Sequence, residues 1–156
     1  MDRMYPSRPI VAVGGILIKE NRLLLGRRKK SPDEGKWSIP GGAVEIGESL
    51  IDALRREMKE ECKINVIDAT PFIIIDRIYR KGEVVIYQYS IIDFLIRKFS
   101  GLPTAGSDAL ELKFFSEGEL TEPDVGNSIK EMKEAVFHGN PGEIVYRIFD
   151  EQFKET

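Results

Sequence analysis

Three glutamates stand at positions 57, 60 and 61, within the stretch GGAVEIGESLIDALRREMKEECKI that runs from 41 to 64. Their i, i+3 and i+4 spacing brings them to one side of a helix. Ser49, three residues ahead of Asp52, has the pattern of a capping box and predicts a helix start at Leu50. With Glu57 at zero and roughly 100° per residue, Leu50 falls at about 20°, Leu54 at about 60° and Ala53 at about −40°. That is the apolar face. Glu57 lies within it, Glu61 falls at about 40° between the two leucines, and Glu60 borders it at about −60°. Asp52, Arg55 and Lys59 occupy the wet side, and Arg56 stands at the edge.

Carboxylates that face inward repel one another and are costly to desolvate unless something neutralises them. On the helical wheel Arg55 and Lys59 point away and Arg56 offers little. Removing these charges is therefore expected to leave the metal-free protein as stable or more so. A hard divalent cation such as Mg²⁺ or Mn²⁺ suits oxygen ligands set on one helix face. Zn²⁺ does not suit this chain, which has one His and one Cys. The preceding Pro-Gly-Gly leaves backbone exposed at the turn, where a polyphosphate could approach both glycine backbone and metal. From the residues alone, a purely structural metal fits the acids as well.

These residues need elements to hold them. IVAVGGILI (10–18) reads as a buried strand, Glu20-Asn21 as a tight turn and RLLLGRR (22–28) as the hairpin partner. A polar loop covers 29–37. INVIDATP reads as a short link, FIIIDRIYR (72–80) as a strand, Lys81-Gly82 as a turn and 83–99 as a long strand. LKFF (112–115) is a short strand, 116–120 a helical turn, and 127–138 an amphipathic helix ending in His138. Residues 142–155 are expected to form another helix with a solvated acidic end. Mixed strands with helices between them point to an α+β fold, an α/β/α sandwich around a mixed β-sheet, with residues 1–156 as one domain.

Composition narrows the function. The chain is 42% hydrophobic and 31% charged, with a net charge of −3. No basic field draws it to a nucleic-acid polymer or an anionic membrane. No apolar run approaches the roughly 20 residues that span a bilayer. MDRMYPSRP lacks the apolar core of a signal peptide, and the lone Cys62 fits a reducing compartment, so a cytoplasmic location is expected.

The run Gly42, Glu48, Arg56-Glu57-Met58, Glu60-Glu61, Ile64 resembles the Nudix box. One position departs from it: the last glycine of the box is Lys63 here. The flanks LLLGRR, W-x-x-P-G-G and LKFFSEGEL extend the resemblance over roughly residues 8 to 138. It implies an α/β/α sandwich and Mg²⁺- or Mn²⁺-dependent hydrolysis of a nucleoside diphosphate linked to another moiety. By position, Glu57, Glu60, Glu61 and the Gly41 carbonyl would be metal ligands. Glu48 and Arg56 would pair and orient the loop and helix. A further acid would come from the loop before the late strand, with Asp108 the best match and Glu111 second.

A diphosphate linkage repels incoming hydroxide, so the chemistry asks for charge neutralisation and for a carboxylate that takes a proton. Glu60 and Asp108 are both open as that base. Arg27 and Arg28 leave a strand beside the polar loop, as phosphate contacts or as a solvated strand end. Trp37 either packs under the loop or lines the pocket, and the tyrosines at 79, 87 and 89 suit a core more than a base platform. Among substrates the resemblance favours ADP-ribose. Nucleoside triphosphate pyrophosphatase activity and a non-catalytic nucleotide-binding module are the alternatives. The small-molecule partner is a nucleotide. A homodimer is possible through the long strand 83–99, which would equally suit the middle of a sheet.

Overall fold

A computed structural model of the chain describes residues 3–106 and 109–154, with the side chains of 109 and 110 left out. The strands are β1 (Ile10–Ile16), β2 (Ile18–Lys19), β3 (Arg22–Arg28), β4 (Trp37–Ser38) and β5 (Gly41–Ala43). Helix α1 (Leu50–Cys62) leads into the long pair β6 (Asn65–Lys81) and β7 (Val84–Ser100). β8 (Ala109–Ser116), a 3₁₀ turn (Gly118–Thr121), α2 (Asn127–His138) and β9 (Val145–Gln152) complete the order.

The larger sheet is mixed, in the order β5-β1-β7-β6-β9, with β1–β7 and β6–β9 parallel. The smaller sheet joins β2, β3 and β4, and β8 pairs with β3. Strand β7 is flanked on both sides, so the long apolar segment is a central strand. Helix α1 packs through Leu54, Met58 and Cys62 with Val13, Phe94 and Ile96 on one face of the sheet. Helix α2 packs through Ile129, Met132 and Val136 with Ile73 and Ile75 on the other. This is the expected α+β sandwich.

The cap at Ser49 forms as its sequence predicts: its hydroxyl accepts from the Asp52 N–H at 3.1 Å. Glu20 and Asn21 both have positive φ, 53° and 60°, which a type I′ hairpin turn requires. The second hairpin turns at Gly82-Glu83, one residue later than expected, because Gly82 takes the positive φ of 63°. The link at 65–71 is the first part of β6, paired with the end of β7.

The last expected helix is a strand. β6 presents a row of backbone N–H and C=O groups from Ile73 to Arg80, and only an extended segment can satisfy them. VYRIF supplies the β-branched and aromatic residues for it. The acids read as a solvated helix end instead clamp neighbouring strands: Arg80 donates to Asp150 at 2.7 Å and Arg77 to Glu151 at 3.1 Å.

Helix α1 closes on Lys63 in the left-handed region, φ 58° and ψ 33°, with its N–H bonded to the Lys59 carbonyl. This is the position where the family motif has glycine. A side chain in that geometry costs roughly 1–2 kcal/mol, partly offset by the extra unfolded-state freedom of glycine. Lys63→Gly is expected to stabilise the protein by about 0.5–1 kcal/mol. A melting temperature at or below wild type would show that Lys63 is unstrained.

Candidate active site

The Gly41-Gly42 segment is the hinge of the site. β5 lies on β1 with Gly41 opposite Gly14 and Gly42 opposite Val13. A Cβ on Gly42 would stand 2.5 Å from the Glu57 carboxyl carbon, so the bare glycine is what lets that carboxylate settle on the strand. Glu57 is 7% exposed, and the angular reading from the sequence holds for it. Glu61 follows one turn later and accepts from the Gly41 N–H at 3.1 Å. Glu60 shares the Arg56 Nη1 with Glu57. It is exposed, and its carboxylate meets the Arg56 guanidinium at 3.4 Å.

Arg56 changes the charge balance expected from the helical wheel. Its guanidinium holds both oxygens of Glu48, at 2.7 and 2.8 Å, and donates to Glu57 at 2.7 Å and to the Ala43 carbonyl at 3.0 Å. The side chain at the stripe's edge curls back over the turn before the helix. It neutralises Glu57, so the inward acids are not stranded. The same contact holds the Glu48 carboxyl far below the usual range, at about 2, with the Glu45 N–H adding to the effect. The guanidinium is in turn pushed upward, chiefly by its bonds to Glu48.

Glu57 and Glu61 border a cleft of about 430 Å³ whose other wall is the basic run Arg27–Lys30. Negative ligands and positive phosphate contacts thus face each other across glycine backbone. The two arginines differ. Arg27 donates to Glu111 at 2.8 Å, approaches Asp124 at 3.6 Å and lies over the Trp37 ring. Arg28 is held through Nε by the Pro32 carbonyl at 2.7 Å and has no carboxylate partner among the described residues. Arg28 is therefore the better placed to meet an anion.

Behind the glycines the cleft joins a second cavity of about 150 Å³, shared through Arg28, Ser38 and Gly41. A cavity of that size holds an aromatic ring, and this one is lined by Ile39, Ile73 and Ile91 together with Arg28, Arg77 and Ser128. Its floor is the large sheet and its roof is α2, from Ile129 to Val136. Tyr79 and Tyr89 border it, yet both are less than a tenth exposed and belong to a buried aromatic cluster with Tyr87. Trp37 packs in the core, edge-on to Phe115 at 5.1 Å, and is no part of either cavity's lining.

Asp108 lies outside the described residues. Glu111 is exposed and tied to Arg27. Among the described residues, the acid and histidine groups whose ligating atoms all lie within 4.8 Å are Glu117, Glu134 and His138, away from the box. His138 bonds Glu117 at 2.9 Å, which raises its pKa and accounts for the group as an ion pair at the end of α2. Sequence reasoning missed Lys29, Lys30 and Asp93. The only signal for Asp93 is an acid in the middle of the apolar run SIIDFLI.

Residues 8–136 match the NUDIX domain model. The chain is 39% identical over 125 residues to an ADP-ribose pyrophosphatase of Methanocaldococcus jannaschii, covering 76% of this chain and 68% of that protein. It is 36% identical over 63 residues to an oxidized purine nucleoside triphosphate hydrolase of Danio rerio, covering 40% of this chain and 39% of that one. Among solved structures, a MutT NUDIX hydrolase from Burkholderia pseudomallei aligns with a TM-score of 0.73 and 28% identity, over 82% of this chain and 98% of that one. The chain belongs to the Nudix family of hydrolases, whose members are divalent-metal dependent and act on nucleotide small molecules. No helix among the described residues is long and apolar enough to cross a membrane.

Proposed function

We propose that the protein hydrolyses the pyrophosphate bond of a nucleoside diphosphate linked to a second group, with ADP-ribose the favoured substrate and Mg²⁺ or Mn²⁺ the cation. The observation that carries this reading is the join of two unlike cavities across Gly41 and Gly42. One is ring-sized and largely apolar with polar groups at its margin, and the other is walled by acids on one side and cations on the other. The relative from Methanocaldococcus jannaschii supports ADP-ribose over other diphosphates.

The donor set suits a hard cation. Glu57, Glu60, Glu61 and the Gly41 carbonyl offer oxygen donors, and glycine at 42 leaves the room a Cβ would fill. When bound, a divalent cation supplies charge neutralisation for the diphosphate and a more acidic water. Arg56 keeps Glu57 ionised and aimed, and Glu48 holds Arg56 in place. Arg28 takes a non-bridging phosphate oxygen. In the reaction, water oxygen bonds to one phosphorus, the bridging P–O bond breaks, and the second group leaves as a phosphomonoester. The water's proton goes to a carboxylate, Glu60 or Asp108.

Purified protein with Mg²⁺ or Mn²⁺ should release AMP and ribose 5-phosphate from ADP-ribose, and excess EDTA should abolish this. Full turnover in EDTA would overturn the metal reading. Preference for nucleoside triphosphates, with pyrophosphate released, would overturn the substrate. Binding without turnover of any nucleotide would make the chain a sensor module.

A further inference from the structure

Asp93 is a buried acid that the hydrolytic site does not employ. It is 7% exposed, in the middle of central strand β7. Its neighbours across the sheet are Gly14 on β1 and Ile73 on β6. A Cβ on Gly14 would overlap the Asp93 carboxylate, so this glycine makes the space in which the carboxylate lies. Among the described residues the carboxyl has no hydrogen bond and no ion pair, and burial alone pushes its pKa up, to about 7. A polar group placed there at a desolvation cost has no structural partner to justify it. It does line the ring-sized cavity.

We propose that Asp93 is the residue that reads the base: its carboxyl oxygen accepts a hydrogen bond from the exocyclic amino group of adenine held in the ring-sized cavity. The inference rests on the nucleotide reading of the joined cavities. The lining of the cavity and its place beside the diphosphate cleft favour a base here. That lining includes Ile39, Ile73, Ile91 and Met132, apolar surface that suits the faces of a flat ring, together with polar Arg28, Arg77, Ser38 and Ser128. The diphosphate cleft lies across Gly41 and Gly42, which line both cavities. An ionised carboxylate only accepts, so it takes the 6-amino N–H of adenine, whereas a protonated one could also donate to a 6-oxo oxygen. The 6-oxo group of hypoxanthine would instead set an acceptor against a carboxylate.

AMP and IMP differ at C6 and in the N1 proton that follows from it, and their binding without metal can be measured by calorimetry above about pH 8, where the Asp93 carboxyl is ionised. Wild-type protein should bind AMP about tenfold or more tightly than IMP. In Asp93→Asn the carboxamide can either accept or donate, so the AMP-to-IMP ratio should fall to near one. The carboxyl ¹³C resonance of Asp93 in the wild type should shift on adding AMP, and this reading does not depend on the variant folding. Equal wild-type affinities, an unchanged ratio in a folded Asp93→Asn, or a resonance indifferent to AMP would each overturn the assignment. A protein that keeps the AMP preference but leaves ADP-ribose intact would refute the substrate reading alone. One that cleaves ADP-ribose but binds AMP and IMP equally would refute only the role of Asp93.

Discussion

Glu57→Gln and Glu61→Gln should each lower turnover by about a thousandfold while leaving the metal-free protein folded. The catalytic loss follows from removing one charge of a hard-cation site, worth several kcal/mol in transition-state stabilisation at about 1.4 kcal/mol per tenfold. The two variants should differ in stability. Gln at 61 can still accept from the Gly41 N–H through its amide oxygen, so stability should stay within about 0.5 kcal/mol. Gln at 57 weakens a charge-assisted bond from Arg56, for a loss of about 1 kcal/mol. The sequence alone predicts a gain in stability instead, because the wheel leaves Glu57 without a cation. The Arg56 bond reverses that sign. Glu111→Gln, which touches only the exposed pair with Arg27, should cost less than tenfold in rate. Melts in EDTA beside rates in Mg²⁺ test all three, and equal rate losses at 61 and 111 would mean the site is misplaced.

Arg56→Ala should be the most damaging single change to the fold around the site. One guanidinium ties the turn before α1, through Glu48 and the Ala43 carbonyl, to Glu57 on the helix. Its loss leaves two carboxylates close together without their cation, at a cost of about 2–3 kcal/mol. Activity should fall with it, by about a hundredfold or more, since Glu57 loses its orientation. Arg56→Lys should recover little of either, because an ammonium cannot hold both Glu48 oxygens in a planar fork. The clasp also has a defined pH window. The Glu48 carboxyl is depressed in the folded state, so its stabilisation is complete above the unfolded carboxylate range, near 4.5. It fades as pH falls through about 2. Denaturant melts from pH 7 to pH 2 should show wild type and Arg56→Ala converging at the acid end. A constant gap between them would refute the role given to Glu48.

Much of the site was legible in the sequence. Periodicity placed Glu57 on the buried face because a helix converts spacing into direction with little help from its surroundings. Ser49 capped α1 and Glu20-Asn21 turned a hairpin for equally local reasons. Long-range pairings were not legible. Nothing within residues 142–155 says that the edge of β6 needs a partner, and local charge favours a helix there. Glu60 and Glu61 are neighbours in sequence, yet a rotation of about 100° sends one to Arg56 and the other to Gly41.

By itself, then, the sequence determined what depends on neighbours a few residues apart: the capped helix, its inward acids, the glycine turn beside them, and through their spacing the Nudix family. Tertiary structure alone decided what depends on residues far apart in the chain. It brought Arg56 back onto Glu48, gave Arg27 to Glu111 while leaving Arg28 for an anion, turned the last segment into a strand, and set Asp93 over Gly14. Each of these outcomes is a competition among distant polar groups for a limited set of partners. Only the folded arrangement, which fixes distances and excludes water, selects the winner.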